Sequence, residues 1–169
     1  MAGACQGEWT GSPGTKSIDA DFIVFRIDAQ RFAVPIERVE RVVRAVAEAP
    51  LPNAPAIVSG LINMRGSVVP VISMRRRAGL PERPLRSSDC LIIARTPQRT
   101  VALAADAVEG LVHVESENLA RGTDILPEVP YMAGVAKQDD GLLLIFDLER
   151  FLSLEEERAL DGALQEAPA

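Results

Sequence analysis

The sequence predicts a mainly β protein built from two similar small modules and closed by a C-terminal helix. Three observations lead there. Apolar runs are short and bounded by Gly, Pro, Asn and Asp, the pattern of strands and turns. The order of features in the first half returns in the second, as a duplicated unit would require. Only near Ser153 does a helix start signal precede apolar residues at helical spacing.

Residues 1–19 are rich in Gly, Ser and Thr without periodicity, and read as a flexible tail in which Trp9 stays outside the core. Phe22–Ile27 is an apolar strand, a turn follows at Asp28–Gln30, and Phe32 and Val34 return as the second arm of a hairpin. Pro35 suits the first position of a single helical turn through Arg38. Val39, Val42 and Val43 then resume extended structure. Pro50, Pro52 and Pro55 forbid regular structure across 49–55, which reads as an ordered loop.

The stretch GLINMRGSVVPVISMR, residues 60–75, organises the first half. Asn63–Gly66 is its polar turn, with Gly66 where a hairpin needs φ > 0 and Asn63 tolerant of turn geometry. Arg65 is thus a long cation on a tight turn, by itself either a solvated arginine or a contact residue. Pro70 donates nothing to a ladder, which predicts an edge strand or a bulge. Arg75–Arg77 before Gly79 reads as one helical turn, and the polar stretch Pro81–Asp89 as the boundary between the modules. The expected division is a first β module at 20–85, a second at 86–152, and a C-terminal helix and tail at 153–169.

In the second half Cys90–Ile93 is the apolar run, and Gln98–Arg99 echoes Gln30–Arg31. Val108–Glu109 echoes Val39–Glu40, and Leu111 and Val112 match Val42 and Val43. AGVAKQDDGLLLIFDLER mirrors SGLINMRGSVVPVISMRR, with Gly134 for Gly60, Gly141 for Gly66 and Asp147 for Ser73. A helical turn capped by Ser116 is expected at 116–120. Ser153 with Glu156 makes a capping box, and Leu154, Leu160 and Leu164 form the apolar face behind it.

Composition excludes several function classes. The 18 basic residues against 24 acidic ones leave a net charge of −6, which disfavours nucleic acid and anionic membrane as partners. No apolar run reaches the length of a membrane span. Cys5 and Cys90 provide neither a disulfide framework nor metal-ligand spacing, so reduced thiols in a cytosolic setting are expected. AGAC at residues 2–5 lacks the flanks of a lipoprotein signal. A single histidine, His113, lies in a strand, and no nucleophile elbow, phosphate loop or useful carboxylate pair is present. No catalytic residue, cofactor or metal is expected; the chain reads as a binding protein.

The organising stretch resembles the signature G-x-x-N-L-R-G-x-x-x-P-V-x-D-L-R of the CheW family, adaptor proteins of bacterial chemosensory arrays. FIVFRIDAQRFAVPIERVERV resembles that family's first hairpin and GVAKQDDGLLLIFDLERFL its closing segment, so the likeness spans roughly 21–160. It implies two five-stranded SH3-like β barrels packed on a shared apolar core. It implies a non-catalytic adaptor joining the cytoplasmic hairpin tip of a chemoreceptor to the regulatory domain of a CheA-like histidine kinase. Such an adaptor works in the cytoplasm, at receptor arrays on the inner face of the membrane. Position by position, the family's functional turn arginine resembles Arg65, with Asn63 and Gly66 shaping the turn. Val39, Cys90, Leu91 and Val108 resemble partner-contacting positions. Three departures stand out: Met64 replaces the turn leucine, Ser73 replaces the aspartate and its acceptor oxygens, and Arg41 stands where relatives often carry glutamate.

Two other readings compete. One is an adaptor of a kinase pathway that does not control swimming. The other is a small-molecule or oligonucleotide-binding barrel, which acidic charge and an aromatic content of 4% disfavour.

Overall fold

The computed structural model describes residues 20–121, 131–139 and 141–166. The tail expected at 1–19, with Trp9 and Cys5, falls outside them, as does Asp140. The strands are β1 (Ala20–Ile27), β2 (Gln30–Pro35), β3 (Val39–Arg44), β4 (Val58–Met64), β5 (Ser67–Ser73), β6 (Cys90–Arg95), β7 (Thr100–Ala105), β8 (Ala107–Val114), β9 (Leu119–Arg121), β10 (Met132–Gln138) and β11 (Gly141–Phe146). Among the described residues two α-helices, α1 (Met74–Ala78) and α2 (Leu154–Glu166), and 3-10 turns at Ile36–Arg38 and Ser116–Asn118 complete the regular structure. The mainly β class with a C-terminal helix is therefore as the sequence predicts. The barrel closure is not: one sheet has six strands, the other five, and neither is closed by hydrogen bonds among the described residues.

The sheet orders reveal how the duplication is used. One sheet runs β8-β1-β2-β11-β10-β9 and the other β3-β6-β7-β5-β4. Under the repeat, β1 and β2 correspond to β6 and β7, while β3, β4 and β5 correspond to β8, β10 and β11. The two orders are then the same, with β9 added to the first. Each sheet takes its opening hairpin from one half of the chain and its remaining strands from the other. Val71 lies opposite Ala102 in the parallel β5–β7 pair, and Leu144 and Ile145 lie opposite Phe32 and Ala33 in β11–β2.

The compact units follow the sheets, not the linear order. One comprises residues up to Arg38 with Val108–Phe151, the other Val39–Ala107 with residues from Leu152 onward. The linear split at Pro81–Asp89 therefore does not separate them. The parallel pairings that cross the halves carry no local sequence signal, which is why the linear reading missed them.

Each unit has its own apolar core. In the first, Phe22, Val24, Ala33, Val114, Ala136, Leu143 and Ile145 form one cluster. Beside it Phe25, Phe32 and Phe146 stack with centroids 5.2–6.4 Å apart, and Phe151 meets Phe146 edge-on at 5.8 Å. In the second, Ile62, Val69, Val71, Leu91, Ile93 and Ala102 form an entirely aliphatic cluster.

Of the two placements expected for Pro70, the edge does not hold, since β5 lies between β7 and β4, while the β4–β5 ladder does carry an irregularity, on the β4 side between Val58 and Gly60. The β7 ladder begins only at Val71, so the missing N–H of Pro70 leaves no β7 pair broken. The turn expected to be capped by Ser116 is a 3-10 turn at Ser116–Asn118 with Glu115 at its cap position. Helix α2 starts at the expected capping box: the Ser153 N–H donates to Glu156 Oε1 (2.8 Å) and the Glu156 N–H to Ser153 Oγ (3.0 Å). Its buried face is Glu157, Leu160 and Ala163, whereas Leu154 is exposed. Ionic contacts from Arg77 to Glu156 and from Arg99 to Glu157 and Asp161 hold that face down; of the expected leucines Leu160 is fully buried, Leu164 half-buried and Leu154 exposed.

Candidate functional site

Met64 pairs with Ser67 at the end of the β4–β5 ladder, so Arg65 and Gly66 alone make the turn. Their φ values are 54° and 87°, both left-handed, as a type I′ hairpin requires. Gly66 adopts this freely. Arg65 does so at a cost on the order of 1 kcal/mol, because its Cβ crowds the following carbonyl. Asn63 lies in β4, and its Oδ1 accepts a hydrogen bond from the Gly66 N–H (2.8 Å), bracing the turn from its side chain. Arg65 is exposed, and no described carboxylate pairs with it. Val68, opposite Asn63 in register, is 58% exposed. The tip thus presents a cation and an amide beside an uncovered aliphatic group. The sequence reading passed over Val68 because strand alternation does not say where a ladder outruns its core.

The other expected contact positions do not share that tip. Arg41 is exposed and Val39 half-buried on β3, at the opposite end of the sheet order from β4. Val43 of β3 and Met64 of β4 nevertheless pack against the same aliphatic cluster. Cys90 is half-buried opposite Arg44 on β6. Leu91 is fully buried in that cluster, so it has no surface to offer and is a core residue. Ile92, Ile93 and Ala94, which follow it in the strand, are buried as well, as in a strand covered on both faces. Val108 is half-buried on β8, in the other unit.

Behind the hairpin, the end of the organising stretch is structural. Ser73 Oγ accepts from the Arg76 N–H (3.3 Å) and caps α1, so the replacement of aspartate by serine keeps an acceptor. Gly79 ends that helix at φ 75°. Arg75 donates two hydrogen bonds to Asp106 (3.0 and 2.8 Å), and Arg83 bridges Asp106 (2.7 Å) and Asp89 (2.8 Å to each oxygen). Burial alone would raise the Asp89 pKa, but the hydrogen bonds from Arg83 and the Arg86 N–H, with both positive charges, hold it below the ordinary carboxylate value. Asp147, the repeat equivalent of Ser73, goes the other way: burial pushes its pKa up against the opposing charges of Arg150 and Arg38.

Among the described residues no cluster of His, Cys, Asp and Glu could hold a metal ion, and no helix is long and apolar enough to cross a membrane. In the second unit Arg75, Arg77, Arg83 and Arg99 are paired with carboxylates of that unit. The arrangement suits docking, with a rigid cationic tip on a braced sheet.

A CheW-like domain model matches residues 21–156. The chain belongs to the CheW-like domain family. It is 29% identical over 141 residues to the chemotaxis protein CheW of Rhizobium meliloti, covering 82% of this chain and 91% of that one. It is 31% identical over 109 residues to protein FrzA of Myxococcus xanthus, covering 64% of each. The crystal structure of the scaffolding protein CheW of Thermoanaerobacter tengcongensis superposes with a TM-score of 0.74 at 24% identity, covering 82% of this chain and 96% of that one. The CheW-like fold thus accounts for both sheets and the order of their strands. Membership makes this protein a signalling scaffold of the chemotaxis type and not an enzyme.

Proposed function

We propose that this CheW-like scaffold couples the cytoplasmic hairpin tip of a chemoreceptor to the regulatory domain of a CheA-type histidine kinase. It does so at receptor clusters on the cytoplasmic side of the membrane, with the β4–β5 hairpin as a principal contact. The observation that carries this reading is Arg65: an exposed arginine, without an ion-pair partner among the described residues, held in a left-handed conformation that a glycine or asparagine would adopt at lower cost. A cation locked on a two-residue turn loses little entropy on docking and offers forked hydrogen bonds to carboxylate or carbonyl oxygens. Val68 supplies the apolar centre beside it, and Asn63 and Gly66 hold the geometry. Val39, Arg41, Cys90 and Val108 are further contact candidates, each with some exposed surface.

The test is reconstitution. A receptor cytoplasmic fragment and the regulatory domain of the kinase from the same cell should both co-sediment with the wild-type chain. Arg65→Glu and Val68→Asp should each lower the affinity for at least one of them by about tenfold or more, with the melting temperature nearly unchanged. Wild-type protein that binds neither fragment would end the proposal.

A further inference from the structure

Strand β3 ends its sheet on one side. It pairs with β6 alone, and none of its residues has a further hydrogen-bond partner among the described residues. Its alternate N–H and C=O groups therefore form an open edge. A bulge at Glu40 bends the strand's start, and Glu40 is paired with Arg95 (3.5 Å). Arg41 and Arg44 are exposed and have no ion-pair partner among the described residues. Between and beyond them Val42 and Val46 are 38% and 50% exposed. In a chain of net charge −6, this edge carries two uncompensated positive charges around an apolar side chain.

We propose that the β3 edge is a docking site for an extended acidic segment of a partner protein, added to the sheet as a further strand. Arg41 and Arg44 are three residues apart, roughly 10 Å along the strand, with their side chains on opposite faces of the sheet. An incoming strand with two carboxylates three positions apart matches both, and an aliphatic residue between them covers Val42. Main-chain hydrogen bonds then supply affinity and the paired charges supply selection.

Edge charges and bulges also prevent sheets from associating, and here the two roles coincide. Antiparallel pairing of two copies through β3, centred on Val42–Val43, would bring Arg41 of each copy opposite Arg44 of the other. That like-charge register rejects self-association while leaving the edge open to an acidic strand. The edge shares Val39 and Arg41 with the contact candidates of the coupling function, but β3 and the β4–β5 hairpin stand at opposite ends of the sheet order, so Arg65→Glu should leave binding of an acidic strand at β3 unchanged.

The experiment uses the full chain, isotope-labelled for NMR, titrated with a capped peptide of about ten residues carrying two glutamates three positions apart and a valine between them. Shifts should concentrate at 39–46, amide exchange should slow along β3, and affinity should fall as salt rises. The double variant Arg41→Glu with Arg44→Glu should bind that peptide about tenfold more weakly or worse and should prefer the lysine version of it. A circular dichroism melt checks that the variant is folded. Equal binding of the glutamate and lysine peptides by the wild-type chain, shifts mapping elsewhere, or no binding would each overturn the proposal.

Discussion

Arg65 shows how one residue can record a compromise between stability and recognition. At φ 54° it occupies the position where type I′ hairpins favour asparagine or glycine. Arg65→Asn should stabilise the protein by about 0.5–1 kcal/mol, read from denaturant unfolding, while weakening the partner complex. An unchanged stability would show that the turn stores no strain. Two aspartates make a second contrast at this scale. The depressed pKa of Asp89 means that its contribution is complete above the ordinary carboxylate pKa and is lost as pH falls through the folded value. The raised pKa of Asp147 means that its ionisation, as pH rises through the folded value, costs stability. Asp89→Asn should thus lower stability at neutral pH by about 2 kcal/mol and flatten the loss below pH ~4. Asp147→Asn keeps an oxygen for the Glu149 N–H (2.9 Å) and should leave neutral-pH stability equal or higher. Urea unfolding of both variants at neutral and acid pH checks the opposite signs.

At the scale of elements, the repeat is visible in two glycines. A Cβ on Gly60 would meet the Ala49 carbonyl oxygen at 2.7 Å, and one on its equivalent Gly134 would meet that of Ala120 at 2.6 Å. In both places a neighbouring segment, the Ala49–Leu61 bridge or β9, lies against the strand backbone, which must shift if a methyl is added. Gly60→Ala and Gly134→Ala should each cost about 1–3 kcal/mol. Gly162→Ala in α2, where nothing lies within 4 Å, should be neutral or stabilising in the same thermal melts. Hairpins, the α1 stop at Gly79 and the Ser153–Glu156 box were legible because turn and cap chemistry is local. The face of α2 was legible only at Leu160, because Arg77 and Arg99 come from distant segments to hold Glu156 and Glu157 beside it, while Leu154 is left exposed.

For the whole molecule, the exchange of strands between halves makes the fold cooperative. A fragment of 20–85 retains the β1–β2 hairpin without β8 or β11, and β3, β4 and β5 without β6 or β7. Isolated hairpins are marginal in water, so neither 20–85 nor 86–169 should fold alone. Mixed in equal amounts, the two should recover β structure, seen by circular dichroism, and a two-unit core, seen by protection of amides in β2 and β7. Independent folding of either fragment would contradict the pairing of β2 with β11 and of β5 with β7.

By itself the sequence determined the β class, the duplication, the hairpin around Arg65 and the helix after Ser153. Each rests on near neighbours: apolar alternation, residues that allow positive φ, and side chains that bond backbone groups three positions away. The likeness to CheW-like adaptors was carried by the same local stretch. Only the tertiary structure decided which half supplies which strand, that Leu91 is core, that Pro70 lies on an interior strand, and that Val68, Arg41 and Arg44 stand uncovered. Those outcomes depend on parallel pairing between segments far apart in the chain, where registers are chosen by burial of a shared core rather than by any residue's own preference.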